Sequence, residues 1–275
     1  MTPVDVLQFI GLPVVVATGI VLMGWWLLPS KRLQPLGAIV AVGVSSLVAF
    51  SLQDGIPSIP PQEKWHWLII TSTIVAVLAC VYPLCKKWDK LVILQATIAG
   101  LIAAVIMQFP NQNGLFERIV ILLMVLFISV SLRRLAIPSW HMYIASWSIL
   151  ACISVLALQA SFAKLAFFAG AMSAVAAALF VLQCIKPRET KGVQMIFGVF
   201  IVGCAMCGLA YDPARNVPPL AWILPMLGVP IAAIAYLLCK AKLRAVVSLV
   251  LLESCIAIAI YWTFANAVPQ NEMWP

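Results

Sequence analysis

Charged side chains are scarce. Asp, Glu, Lys and Arg make up 9% of the chain, where soluble domains carry about 25%. With 64% hydrophobic residues beside that deficit, an ordinary soluble fold is excluded. Histidine is rarer still, present only as His66 and His141. Catalytic signatures are missing as well: there is no H-E-x-x-H, no G-x-S-x-G and no P-loop. Intramembrane proteolysis needs paired acids or a Ser–His pair within the bilayer, and neither is available. Nine acids are too few for the clustered charge of phosphoryl or glycosyl transfer. The basic residues lack the aromatic interleaving of a nucleic-acid module. An enzyme is therefore not expected, and no cofactor or metal is implied.

What the chain does have is apolar length. Ten spans stand out: Gln8–Leu28, Leu36–Leu52, His66–Cys85, Leu91–Phe109, Ile119–Leu132, Met142–Phe162, Leu165–Ile185, Val193–Tyr211, Leu220–Cys239 and Leu243–Asn266. About 20 apolar residues cross a hydrocarbon core. Lipid offers the backbone no hydrogen-bond partners, so continuous apolar runs must be helices; a β-barrel would show short alternating segments instead. The expected fold is all-α, a polytopic transmembrane bundle forming one integral-membrane domain over residues 1–275 with no soluble domain. The fifth span is the shortest, with a start near Leu115 as its alternative. No basic residue precedes the first span and Lys31-Arg32 follow it, which reads as a retained anchor rather than a cleaved signal.

The turns define a threading. Of seventeen Lys and Arg, all but Lys64, Arg118, Lys164 and Arg215 fall in the turns after odd-numbered spans. Basic residues concentrate in cytoplasmic loops, so both termini are expected outside, in a cell-membrane protein. The basic clusters recur roughly every 50 residues, the period of two spans and two turns, with no residue-level repeat beneath it. Trp25, Trp26, Trp88 and Trp140 fall at inner boundaries, and Trp65, Trp67, Trp222 and Trp262 near outer ones, as an interfacial belt requires. His66 and His141 then lie on opposite faces, which rules out a joint metal site.

Small residues at i, i+4 spacing let helices approach closely in lipid. Gly37, Ala41, Ser45 and Ala49 form such a stripe, as do Ala96, Gly100 and Ala104, and Ala166, Gly170, Ala174 and Ala178. The second, fourth and seventh spans are therefore expected to be central. The eight cysteines read as small hydrophobes; Cys204 and Cys207 share one helix face but lack the further ligands a zinc site needs.

Two features point toward function. Pro225, Gly228 and Pro230 crowd the ninth span, where each proline removes a backbone donor and transporters use broken helices as binding sites; Pro13 and Pro83 interrupt the first and third spans once each. Glu253 is the one acid inside an apolar span. It lies nine residues past Arg244, about 13 Å along the helix, with no Lys or Arg at its depth in any span to pair with it. Intramembrane carboxyls mark ion or proton paths by default, or else hydrogen-bond a neighbouring helix. Three readings follow: a small-solute or ion-coupled permease in which Glu253 takes a proton, an accessory subunit that meets a membrane-protein partner, and, weakest, a lipid-modifying enzyme. A permease would show a polar cavity reaching Glu253; a subunit would show a dry bundle with an apolar outer groove.

Overall fold

The computed structural model describes residues 3–28, 30, 33–56, 59–61, 63–84, 91–110, 114–136, 140–188, 191–212, 215–240 and 243–266. Lys31-Arg32, Lys86-Lys87, Trp88 and Lys242, which belong to the threading above, lie outside them. Among the described residues there are ten α-helices: α1 Pro3–Leu27, α2 Gln34–Asp54, α3 His66–Val81, α4 Val92–Ile106, α5 Leu115–Leu135, α6 Trp140–Gln159, α7 Ala163–Ile185, α8 Val193–Ala210, α9 Pro219–Leu238 and α10 Arg244–Ala265. Eight are long and apolar enough to cross a membrane. The exceptions, α3 and α4, have 16 and 15 residues.

Local chemistry sets several boundaries. Pro83 does not kink α3, as the sequence implies, but falls in the 3-10 turn Tyr82–Leu84 that follows its last helical residue; a proline there has no N–H to continue the α-ladder. The fifth helix starts at Leu115, behind an extended Gly114, and reaches 21 residues, so the alternative start is the observed one. Through Pro225 and Pro230 α9 runs on without a break.

The centre of the bundle is α8, which the small-residue stripes do not single out. Sixteen consecutive residues, Val193–Gly208, are buried. Its glycines explain why: Gly198 receives Ser129 of α5, Gly203 receives Leu68 of α3, and Gly208 receives the Trp222 ring of α9. A helix whose glycines admit a neighbour from three directions can be enclosed on all sides, the state expected of an all-round apolar helix. The α2 and α4 stripes are buried, whereas in α7 only Ala166 is, with Gly170, Ala174 and Ala178 half-buried. The α4 stripe has the closest approach, since a Cβ on Gly100 would lie 2.7 Å from the Leu122 carbonyl oxygen.

Packing also carries a five-plus-five pattern invisible in the residues. The most extensive helix pairs are α1–α2, α4–α5, α6–α7 and α9–α10, while α3 and α8, the middle helix of each five, pack on each other. The halves are not equivalent. Whereas α5 packs on α8 and α9 as well as α4, α10 packs on α9 and α6. That leaves α1 and α10 as edge helices, with only 17% and 22% of their apolar windows buried.

Candidate functional site

The four residues singled out from the sequence do not converge. Pro225 and Gly228 are buried and Pro230 half-buried in α9. Gly228 faces α10, where a Cβ would lie 3.0 Å from Leu252 and 3.2 Å from Cys255. Glu253 turns the other way and is exposed on the outer face of α10. Among the described residues it has no hydrogen bond or ion pair; its one electrostatic neighbour is the buried Cys152 thiol of α6. Helical geometry puts it on a stripe of exposed side chains, Val246, Val250, Glu253, Ala257, Tyr261 and Phe264. Their spacing of four, three, four, four and three residues keeps them on one face of the helix.

The densest polar chemistry lies elsewhere, where α2 ends, α3 begins and α6 turns into α7. His66 Nε2 is 3.1 Å from Asp54 Oδ2. Lys164 Nζ stands 2.7 Å from Asp54 Oδ1 and 3.4 Å from Glu63 Oε1. Trp65 Nε1 donates to Glu63 Oε2 at 2.8 Å. Aromatic rings wall the cluster: the His66 ring meets Phe50 edge-on at 5.0 Å, Trp65 meets Phe50 at 5.0 Å, and Phe162 stacks on Tyr211 at 4.8 Å. Burial pushes the Tyr211 phenol above its ordinary range, with the backbone N–H groups of Trp65 and Lys64 pulling the other way; it stays a neutral hydroxyl at physiological pH. Asp212, buried in the next turn, accepts hydrogen bonds from the Asn216 and Val217 N–H groups and so closes the α8–α9 turn beside it.

Asp54, Glu63 and His66 each present a ligand atom, all within 4.8 Å of one another. Yet the Lys164 ammonium already bridges the two carboxylates, in the position where a metal ion would neutralise them. The lysine offsets one of the two carboxylate charges, and the cluster's chemistry is that of a tie between the α2–α3 and α6–α7 hairpins. By sequence, His66 is expected at the interface and Trp65 and Trp222 in the belt. All three are buried instead, at 7%, 1% and 0% exposure, because the charged tie and Gly208 draw them inward. What stayed hidden was the partner of Glu63, Lys164, a hundred residues on. Trp26, at 90% exposure, fits the belt.

These features define a polytopic α-helical membrane protein built around one buried helix. Comparison with known protein families, curated proteins and solved structures returns no match.

Proposed function

We propose that this chain is an accessory subunit of a membrane assembly, docking a transmembrane helix of another protein along α10. The observation that carries the reading is the outward-facing Glu253. A carboxyl near mid-membrane is costly against lipid, and it stands on a continuous exposed face of α10 that packs on no other helix of the bundle. Ala257, one turn on, permits close backbone approach. The partner is a different protein, because a second copy would bring another acid against Glu253. Its facing helix carries a Lys, Arg, His or hydroxyl at that depth. Two packing features support the same reading: α8 is closed on all sides, and an apolar groove of about 70 Å³ with Val75, Leu78 and Ile98 in its walls opens between α3 and α4.

A photo-crosslinking amino acid at position 257, in native membranes, tests this. One discrete heterologous adduct is expected, lost in Glu253→Leu and absent when the probe is moved to Val77 on the outer face of α3. Adducts with lipid only, with a second copy, or insensitive to Glu253→Leu reject the proposal.

The five-plus-five packing favours a second reading, a solute or proton permease, since transporters are commonly built from paired repeats. In liposomes of purified protein, proton or solute flux abolished by Glu253→Gln would establish it over the subunit. In both readings the basic turns face the cytoplasm and the termini lie outside the cell membrane.

A further inference from the structure

A second polar site lies at the opposite ends of the helices, where α4 and α10 begin and α5 and α9 finish. There a cavity of about 470 Å³ opens, with Arg133, Arg134 and Arg244 in its wall. Among the described residues none of the three arginines pairs with a carboxylate. Arg133 and Arg134 sit in the last turn of α5, where cations complement the helix dipole, so their presence alone needs no ligand. Arg244 is different. It is the first residue of α10, the positive end of that dipole, and Leu243 before it supplies no side-chain cap. Its guanidinium is held in place nonetheless: Nε donates to the Cys239 carbonyl at 2.8 Å, and the group lies over the Tyr236 ring at 5.9 Å. Using Nε in this way leaves the two terminal nitrogens for a ligand. Three guanidinium groups and a helix N-terminus converging on one cavity are poorly placed for anything but an anion.

The rest of the wall is apolar. Val92, Ile93 and Leu237 line it, and Ile93 and Leu237 are exposed on the sides of their helices. Lys240, two residues past the end of α9, adds a further cation to the chain that leaves this end. We infer that this cavity binds a phosphate-bearing anion at the membrane boundary. Guanidinium forks match phosphate oxygens in pairs, and basic pockets between transmembrane helices take anionic headgroups. The apolar side continues along the helices as an acyl chain would, which makes a phospholipid the source the site fits; a soluble phosphorylated solute shares the same headgroup chemistry. The site is independent of the partner proposed for α10.

Protein purified in zwitterionic micelles would be titrated with phosphatidylglycerol, phosphatidylcholine and inorganic phosphate, following bound lipid by native mass spectrometry and unfolding by heating. Phosphatidylglycerol is expected to bind and raise the melting temperature, and phosphatidylcholine to do neither. Arg133→Gln with Arg244→Gln should weaken binding about tenfold per arginine, the scale of a charged hydrogen bond. Arg118→Gln, on the far face, should bind as wild type. Should the double variant fail to fold, Arg244→Lys keeps the charge but not the fork, and should still weaken binding severalfold. Protection by inorganic phosphate but not by the lipid would support the anion site and overturn the lipid source. Equal binding of both lipids, or binding indifferent to the arginines, would overturn the site itself.

Discussion

Lys164 Nζ lies 2.7 Å from Asp54 Oδ1, joining the second residue of α7 to the last of α2. The lysine is half exposed while the aspartate side chain is 9% exposed, so the two ends of the bond are unequal. Removing the lysine leaves a largely buried carboxylate with His66 as its remaining partner, whereas removing the carboxylate frees an ammonium that water can reach and takes the partner from the buried His66 Nε2. Lys164→Met should therefore cost about 1–2 kcal/mol, less than a fully buried pair would. Asp54→Asn in that background should recover part of the loss. Thermal unfolding of both variants and the double variant measures this coupling, and strictly additive losses would mean that the pair does not hold the hairpins together.

The α4–α5 contact makes a sharper demand. A methyl group on Gly100 would meet the Leu122 carbonyl oxygen, a backbone atom that cannot rotate away. Gly100→Ala should destabilise by about 1–3 kcal/mol through overpacking. Gly19, with nothing within 4 Å of its Cβ position, is the control. Gly19→Ala should be neutral or stabilise by up to about 1 kcal/mol from helix propensity. Equal effects at the two sites would remove the close approach from the account of this fold.

Burial of the tryptophans can be read directly. Trp65 and Trp222 should be shielded from a water-soluble quencher and from brominated lipid alike, whereas Trp26 should respond to both in single-tryptophan variants. Quenching of Trp222 by lipid bromines would return it to the interfacial belt.

The tryptophans also show where sequence reading stops. Helix existence, number and order follow from apolar run length, because lipid leaves the backbone no other solution. The Ala96–Ala104 stripe was legible because its spacing is local. Which helix is central was not. Gly198, Gly203 and Gly208 matter through Ser129, Leu68 and Trp222, each on a different helix, and no local period records that. Lys164 with Asp54 is the same case in charge, since opposite signs in two turns become a bond only once the packing brings the turns together. Glu253 shows a third kind of gap. Its depth could be counted from Arg244, but its direction depends on which face of α10 meets α9.

The sidedness proposed from the basic turns has its own test. Ser161 lies in the α6–α7 turn beside the Lys164 cluster, and Ser30 in the α1–α2 turn; both are exposed. In a background without other cysteines, Ser161→Cys should react with a membrane-impermeant thiol reagent on intact cells. Ser30→Cys should react only after permeabilisation. The reverse pattern would invert the threading and put the arginine cavity on the outer leaflet.

Glu253 separates the bundle's own stability from what it docks. In isolated protein the side chain is exposed without a hydrogen bond, and it stays exposed to the micelle when the helices come apart. Its environment hardly changes on unfolding, so Glu253→Leu should leave stability within about 0.5 kcal/mol of wild type, as for surface positions generally. A carboxyl hydrogen-bonded inside the bundle would behave differently, because its deletion orphans a buried partner at a cost of about 1–3 kcal/mol. The same substitution should weaken the assembly with a partner helix, where the carboxyl gains a donor that the free protein lacks. Unfolding of the isolated variant and its crosslinking yield in native membranes therefore have to disagree: unchanged in the first, reduced in the second. If both fall together, Glu253 belongs to the interior of the bundle and the outward stripe on α10 is not a docking seam.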